Sequence, residues 1–272
     1  MSREDLQPIA RFESASLWII DLDGVVWLAG EPIGDVATAV ADLRRHGIRV
    51  VFATNNSSPT TRQLLDRLTR AGIESSAGDL ATSAAAAASL LEPGQAVKVL
   101  AEGGVLEALR GRDVAIVDEG PVDAAVVGWS QTFDFGGLAA TAAAARASGR
   151  LIVTNEDPTH PTPAGLVPGT GALAAAVATA SGLTPEVAGK PHGAMARLMR
   201  DRFDFGDGDE SVVMVGDQPA TDGRLAERLG ISFGLVDSGV TPPGSDGLST
   251  PVALRAPDLV SMVRSCLSGA NL

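Results

Sequence analysis

Short apolar runs alternate with amphipathic or alanine-rich stretches from one end of the chain to the other. A short apolar run bounded by glycine and polar residues is typical of a buried strand, and the stretches between these runs have helical periodicity. Strands that alternate with helices predict repeated βα units and a mainly parallel sheet, which is an α/β fold. The predicted strands cover residues 17–20, 49–53, 97–100, 114–117, 124–127, 151–154, 212–215 and 231–236.

Capping residues mark several of the helices between these strands. Asp35 precedes a helix that we expect to end at Gly47, and Ser58 with Pro59 opens a helix that we expect to end at Gly72. Asp and Ser accept hydrogen bonds from the free N–H groups at a helix start, and glycine readily adopts the left-handed conformation that ends a helix. Further helices are predicted at residues 136–148, 170–181, 193–202, 220–229 and 258–267.

Two linker-like segments, residues 75–79 and 182–189, divide the chain. The total of 272 residues is enough for one large domain or two moderate ones. We therefore predict a core domain made of residues 1–78 and 187–272, interrupted by an inserted α/β domain at residues 79–186.

Charge and cysteine content restrict the classes of partner and site. The formal net charge of -12 disfavours binding to nucleic acid or to an anionic membrane. The single cysteine, Cys266, excludes an internal disulfide and a cysteine-based metal site. The first residues lack the apolar core of a signal peptide, and no apolar run reaches the roughly 18 to 20 residues of a membrane span. These features predict a soluble, cytoplasmic protein.

Two carboxylates, Asp21 and Asp23, follow the first predicted strand and lead directly into Gly24. Like charges held this close repel each other unless a cation or hydrogen-bond donors compensate, so the pair indicates a metal ion or a shared proton. A surface turn is the alternative interpretation, because Asp and Gly are common turn residues.

Three further polar loops have a composition that complements this pair. Two of them follow predicted strands, where open α/β sheets place their ligand sites, whereas the loop around Lys190 has no clear strand before it. Together the loops supply carboxylates for a cation, hydroxyl and amide groups for phosphate oxygens, and one ammonium group, which are the groups that phosphate-ester hydrolysis requires. The loops are Thr54-Asn55-Asn56-Ser57, Gly189-Lys190-Pro191 and the segment 216–222 with Asp217, Thr221 and Asp222.

These four loops, in this order, resemble the four motifs of the haloacid dehalogenase-type (HAD) phosphohydrolases. A long insertion separates the second and third motifs. This insertion and the sequences of residues 151–157 and 165–171 are similar to those of subfamily IIA members. That branch contains NagD, the p-nitrophenylphosphatases and the pyridoxal-phosphate phosphatases. The resemblance implies a Rossmann-like parallel-sheet core with an inserted α/β cap of the C2 type.

The resemblance also implies a role for each motif residue. Asp21 would attack phosphorus to form an aspartyl-phosphate, and Asp23 would act as general acid and base. Mg2+ would bind the Asp21 carboxylate, the main-chain carbonyl of Asp23 and the Asp217 side chain, since magnesium prefers oxygen ligands. Asp222 would orient the water shell of the metal or Lys190. The implied phosphate-binding residues are Thr54, Asn55, Asn56 and Lys190.

Specificity is expected to lie in the cap, where Trp129 and His160 fall in stretches that resemble the pyridoxal-phosphate phosphatases. Trp129 would stack on a flat ring while His160 donates a hydrogen bond, or both would have only structural roles. The branch implies a small phosphorylated metabolite: glycerol 3-phosphate, dihydroxyacetone phosphate, phosphoglycolate, pyridoxal phosphate or a nucleoside monophosphate. A homodimer formed through the cap is a further hypothesis.

Two other classes of protein fit parts of the pattern. Residues 168–174 match a dinucleotide-binding fingerprint, which would indicate an oxidoreductase, but they follow a proline-rich loop instead of a strand. A receiver-type signalling module also accepts phosphate on an aspartate beside a Thr or Ser and a Lys. A receiver needs only about half of this chain length and has no inserted cap.

Overall fold

The computed structural model describes residues 11–162, 165–242, 244–245 and 250–267. The described residues form two compact units. The first unit contains those within Met1–Ala53, Leu65–Ala81 and Met199–Leu272, and the second contains those within Thr54–Leu64 and Thr82–Leu198.

A six-stranded sheet has the strand order β15-β14-β13-β1-β4-β5. The β1–β13, β1–β4, β13–β14 and β14–β15 pairs are parallel. All five residues of β1 are buried, which is why its first four residues read as a continuous apolar run in the sequence. The strands are β1 Leu17–Asp21, β4 Arg49–Thr54, β5 Leu80–Thr82, β13 Val212–Gly216, β14 Ser232–Val236 and β15 Leu254–Ala256.

A separate five-stranded sheet in the second unit has the order β12-β9-β8-β6-β7, and its four strand pairs are parallel. Its strands are β6 Ala96–Leu100, β7 Ala115–Ile116, β8 Ala124–Val127, β9 Leu151–Val153 and β12 Glu186–Val187. The described residues also form two antiparallel hairpins: β2 Trp27–Leu28 with β3 Glu31–Pro32, and β10 Thr159–Thr162 with β11 Gly165–Pro168.

Helices alternate with these strands along the chain, and the last helix follows β15. They are α1 Val36–Arg45, α2 Thr61–Arg70, α3 Ser83–Ala88, α4 Gly103–Arg110, α5 Phe135–Ser148, α6 Thr170–Ser181, α7 Gly193–Phe203, α8 Arg224–Leu229 and α9 Leu259–Leu267, with a 3-10 turn at Ala77–Asp79 and a π-helical turn at Pro219–Gly223. No helix in the described parts of the chain combines the length and apolarity needed to cross a membrane.

Alanine lets two helices of the second unit pack closely on its sheet. Ala142 and Ala145 of α5 and Ala174 of α6 are almost fully buried in one cluster with Val127 and Val153 of the sheet. Small side chains bring helix and sheet backbones close together, so these alanine-rich segments form core and are not low-complexity sequence.

The predicted alternation of strands and helices is confirmed, and several bounds agree with the structure. Asp35 caps α1 by accepting a hydrogen bond from Thr38 N at 3.1 Å, and α6 has the bounds that the sequence predicts. The differences include a strand, β12, that does precede the Lys190 loop, and two helices, α3 and α4, that were not predicted. The helix expected from residue 220 begins at Arg224 after the π-helical turn. The domain bounds at residues 78 and 186 stay a prediction.

Candidate active site

Strand β1 ends at Asp21, a buried residue that is only 5% exposed. The chain then folds into a tight turn in which the Leu22 carbonyl accepts hydrogen bonds from Val26 N at 2.9 Å and Trp27 N at 3.1 Å. Gly24 has a φ of +88°, a conformation that other residues rarely adopt. The apolar strand therefore delivers Asp21 into a rigid turn rather than a loose surface loop.

The partner of Asp23 is an indole that the sequence analysis missed. Trp27 Nε1 donates to Asp23 Oδ1 at 2.9 Å, and the Asp23 side chain is half-buried. Because Trp27 is itself buried, this hydrogen bond fixes the orientation of the Asp23 carboxyl group. In the sequence, only the short turn through Val25 and Val26 indicates that Trp27 could come back close to Asp23.

Three buried carboxylates meet in the first unit. Asp21, Asp217 and Asp222 each offer an oxygen atom, and these atoms lie within 4.8 Å of one another. Asp217 follows β13 directly, and the π-helical turn carries Asp222. Burying three like charges costs free energy unless a cation compensates, and an all-oxygen set is what Mg2+ prefers. The cluster fits Mg2+, the cofactor that the sequence predicts.

Asp222 offers an oxygen atom within 4.8 Å of those of Asp21 and Asp217. Its Oδ2 atom accepts a hydrogen bond from Gln218 N at 3.1 Å, which anchors it within the turn that it occupies. One carboxylate oxygen of Asp222 is thus held by the backbone while the side chain remains part of the acidic cluster.

Glycine backbone surrounds Asp217. A Cβ atom built on Gly239 would lie 2.0 Å from Asp217 Oδ2, and one on Gly24 would lie 2.5 Å from the same atom. Val240 N also donates to Asp217 Oδ2 at 2.7 Å, and Ser238 Oγ donates to the Gly24 carbonyl at 2.7 Å. The sequence predicts a Pro-, Gly- and Ser-rich surface loop at residues 238–251. The sequence analysis did not assign this loop to the site, although it follows strand β14 as the other polar loops follow their strands.

The second unit contains the predicted phosphate-binding loop. Thr54, the last residue of β4, is buried, and its Oγ1 atom accepts from Asn56 N at 3.0 Å. Asn56 Oδ1 in turn accepts from Ser58 N at 3.2 Å. The Asn55 side chain contacts the main chain of Lys190, whose own side chain is 2% exposed. The structure therefore brings the second and third motifs together.

Trp129 and His160 are in contact within the second unit. Their ring centroids are 4.6 Å apart with an interplanar angle of 40°, and Trp129 Nε1 donates to the Pro168 carbonyl at 3.0 Å. Trp129 is only 9% exposed. These contacts already use the indole N–H and part of one ring face, so substrate contact by either residue stays a prediction.

The glycines of the dinucleotide-like segment have structural contacts. Gly169 N donates to the Pro158 carbonyl and Gly171 N to the Asp157 carbonyl, both at 2.9 Å. The strand before α6 belongs to an antiparallel hairpin, whereas a dinucleotide fingerprint requires a parallel strand leading into the helix. The segment therefore lacks the structure of a dinucleotide site.

Cys266 is not a candidate nucleophile. It is buried in α9, and burial, with a smaller contribution from the Glu13 charge, raises the pKa of its thiol to about 12. The thiol therefore stays protonated at neutral pH, and only a thiolate is an effective nucleophile.

Comparison with known proteins identifies the family. A model of haloacid dehalogenase-like hydrolases matches residues 18–115, and a HAD-hydrolase-like model matches residues 187–261. A dihydroxyacetone phosphatase from Corynebacterium glutamicum is 32% identical over 228 residues, which cover 82% of this chain and 82% of that relative. The chain belongs to the haloacid dehalogenase-like hydrolase family.

Other HAD-like relatives agree in sequence. A D-glycerol 3-phosphate phosphatase from Mycobacterium tuberculosis is 35% identical over 245 residues, which cover 86% of this chain. The chain spans 66% of that relative's length, just under two thirds.

Solved structures of HAD-like phosphatases share the fold. A p-nitrophenyl phosphatase from Archaeoglobus fulgidus is 29% identical with a TM-score of 0.85, covering 92% of this chain and 99% of that chain. A glycerol phosphate phosphatase from Mycobacterium tuberculosis, solved in complex with magnesium, is 31% identical with a TM-score of 0.82. The alignment covers 92% of this chain and 76% of that chain. The predicted subfamily, the α/β fold with a cap and the class of phosphoric monoester hydrolase are confirmed. The receiver and oxidoreductase alternatives are not supported.

Proposed function

We propose that this HAD-like hydrolase is a Mg2+-dependent phosphomonoesterase that acts on small metabolites through an aspartyl-phosphate at Asp21. The buried cluster of Asp21, Asp217 and Asp222 carries the proposal, because a nucleophilic carboxylate beside a metal site is what the reaction requires. The Asp21 carboxylate, the main-chain carbonyl of Asp23 and the Asp217 side chain would hold Mg2+. The bound ion would neutralise carboxylate charge and withdraw electrons from phosphoryl oxygens.

The first chemical step transfers the phosphoryl group to the enzyme. A carboxylate oxygen of Asp21 forms a bond to phosphorus while the bond from phosphorus to the leaving oxygen breaks. Asp23 gives its proton to that oxygen, and the alcohol leaves. Because Asp23 Oδ1 accepts from Trp27, we assign the transferred proton to Oδ2.

The second step restores the enzyme. A water oxygen bonds to phosphorus, the bond between phosphorus and Asp21 breaks, and Asp23 takes a proton from the water. Inorganic phosphate is the second product, and both aspartates return to their starting state. Thr54, Asn56 and Lys190 would contribute donors to the phosphate oxygens, whose charge must be neutralised in both transition states. Asp222 would orient the water shell of the metal.

Small, non-aromatic phosphate esters are the proposed substrate class. The relatives named above act on glycerol phosphate and dihydroxyacetone phosphate. The existing contacts of Trp129 support this choice, because its indole N–H and part of its ring face are already occupied. A flat pyridoxal or nucleobase ring would have little exposed aromatic surface to stack on.

The proposal also includes the cellular setting and the partners of the enzyme. We place the enzyme in the cytoplasm, with small phosphorylated metabolites as its partners and no role for nucleic acid. The net charge of -12 supports the last point. A homodimer through the cap remains part of the proposal.

The experiment is a screen of about thirty phosphorylated metabolites, read as phosphate release with Mg2+ and again with excess chelator. We expect glycerol 3-phosphate and dihydroxyacetone phosphate to have kcat/KM values at least about tenfold above pyridoxal phosphate and nucleoside monophosphates. p-Nitrophenyl phosphate should be hydrolysed too, and the chelator should remove all activity. Absence of phosphate release from every ester with Mg2+ would reject the function, and a preference for aromatic esters would reject the substrate class.

A further inference from the structure

The Asn55 side chain forms two hydrogen bonds with the main chain of a single residue, Lys190. Lys190 N donates to Asn55 Oδ1 at 2.8 Å, and Asn55 Nδ2 donates to the Lys190 carbonyl at 3.2 Å. A backbone N–H can only donate, so the atom that faces it must be the amide oxygen. This assignment also fixes which atom of Asn55 is the nitrogen.

The remaining N–H of Asn55 has a partner as well. Asn55 Nδ2 donates to Asp157 Oδ2 at 3.3 Å. A side-chain amide has two N–H donors, and both are now assigned. A phosphate oxygen requires a donor, and Asn55 Oδ1 is an acceptor that would repel it. The Asn55 side chain is thus occupied by protein contacts.

Buried groups hold the backbone of Asn55 in place. Its carbonyl accepts from Ser83 Oγ at 2.6 Å and from Asn155 Nδ2 at 2.7 Å, and both of these residues are buried. Gly189, the residue before Lys190, lies so close that an added Cβ would be 2.5 Å from Asn55 Oδ1 and 2.5 Å from the Thr154 carbonyl. The amide therefore meets the Lys190 loop with no room for a side chain between them.

We propose that Asn55 is a positioning residue for Lys190 and not a phosphate ligand. The proposal rests on the function proposed above, in which Lys190 pairs with the substrate phosphate. These two hydrogen bonds hold the backbone on both sides of the Lys190 Cα atom. They therefore fix the direction in which the Lys190 side chain leaves the backbone. A buried ammonium group on a flexible four-carbon side chain gains more from such anchoring than a rigid group would.

A double-mutant cycle separates positioning from phosphate binding. If Asn55 acts through Lys190, Asn55→Ala lowers kcat/KM for p-nitrophenyl phosphate about 10- to 100-fold in the wild-type chain, since misplacing a binding group costs rates of this order. In the Lys190→Ala chain the same change lowers it less than about twofold, because contacting residues that act as one unit are not additive. Equal losses in both chains would overturn the proposal.

The neighbouring residue provides the matched control. Asn56 is proposed to bind phosphate and has no hydrogen bond to Lys190 among the contacts above, so Asn56→Ala should cost the same factor with and without Lys190. Asn55→Asp serves as a second variant, because it keeps the acceptor for Lys190 N and loses both donors. It should show the same coupling to Lys190 as Asn55→Ala, and melting curves should show that each variant is folded.

A binding measurement is used if the Lys190→Ala chain has too little activity to measure. The dissociation constant of inorganic phosphate is then determined by calorimetry, in the presence of Mg2+, for the same four chains of the cycle. Asn55→Ala should leave that constant unchanged in the Lys190→Ala chain, and a further weakening there would overturn the proposal. Failure of the proposed function is distinguishable, because it would appear in the wild-type chain as absent turnover.

Discussion

Asp21→Asn lowers kcat for p-nitrophenyl phosphate by at least about 10^4-fold, the size of loss seen when a catalytic nucleophile is removed. The substituted amide has nearly the same shape, but it is a poor nucleophile and removes one negative charge from the cluster with Asp217 and Asp222. Because the buried carboxylates repel each other without a metal, we expect the melting temperature of the metal-free variant to equal or exceed that of the wild type.

Phosphate release at saturating Mg2+ measures the loss in kcat. A melting curve in the presence of chelator measures the stability of the metal-free variant. Asp201→Asn makes the same chemical change on an exposed position of α7 and should leave both values unchanged. Activity of Asp21→Asn within about tenfold of wild type would show that another group attacks phosphorus.

Gly239→Ala weakens Mg2+ binding by about 10- to 100-fold, the range for residues that support a metal ligand. The added Cβ would lie 2.0 Å from Asp217 Oδ2, 2.4 Å from its Cγ and 2.6 Å from its Cβ, so the carboxylate or the loop has to move. That movement also disturbs the 2.7 Å hydrogen bond from Val240 N to Asp217 Oδ2. The carboxylate of Asp217, a proposed metal ligand, is therefore displaced without a change in charge.

Calorimetric titration with Mg2+ measures this effect directly, and the Mg2+-dependent rise in melting temperature measures it through linkage. Gly206→Ala is the matched control, because Gly206 is exposed and an added Cβ there meets no atom within 4 Å. A Gly239→Ala chain that binds Mg2+ as tightly as the control would show that Asp217 does not depend on this loop.

The fold was largely predictable because its signals are local. Residues 17–20 of the buried first strand read as an unbroken apolar run, and α6 lies between glycines at positions 169 and 182. Short elements had weaker signals. The two-residue strand Glu186–Val187 shows no apolar run, and the hairpin of Thr159–Thr162 with Gly165–Pro168 contains prolines that argue against a strand.

The sequence predicted which loops form the candidate site, but it did not predict the hydrogen bonds within the site. The rule that ligands lie at the carboxyl ends of parallel strands led to Asp21 and Asp217. Nothing in local sequence could show that Asn55 binds the main chain of a residue 135 positions away, or that Gly239 packs against Asp217. Such contacts depend on packing between distant segments, so only the three-dimensional structure reveals them.

The formation of an aspartyl-phosphate on Asp21 is the central claim, and rapid acid quench of the enzyme during turnover tests it most directly. The wild-type chain is mixed with Mg2+ and radiolabelled substrate, quenched within milliseconds, digested and mapped by mass spectrometry. We predict one phosphoryl group on the peptide that contains Asp21, released by hydroxylamine as an acyl phosphate is, and no label in Asp21→Asn. A phosphoryl group on a different residue, or undiminished label in the Asp21→Asn chain, would contradict the account.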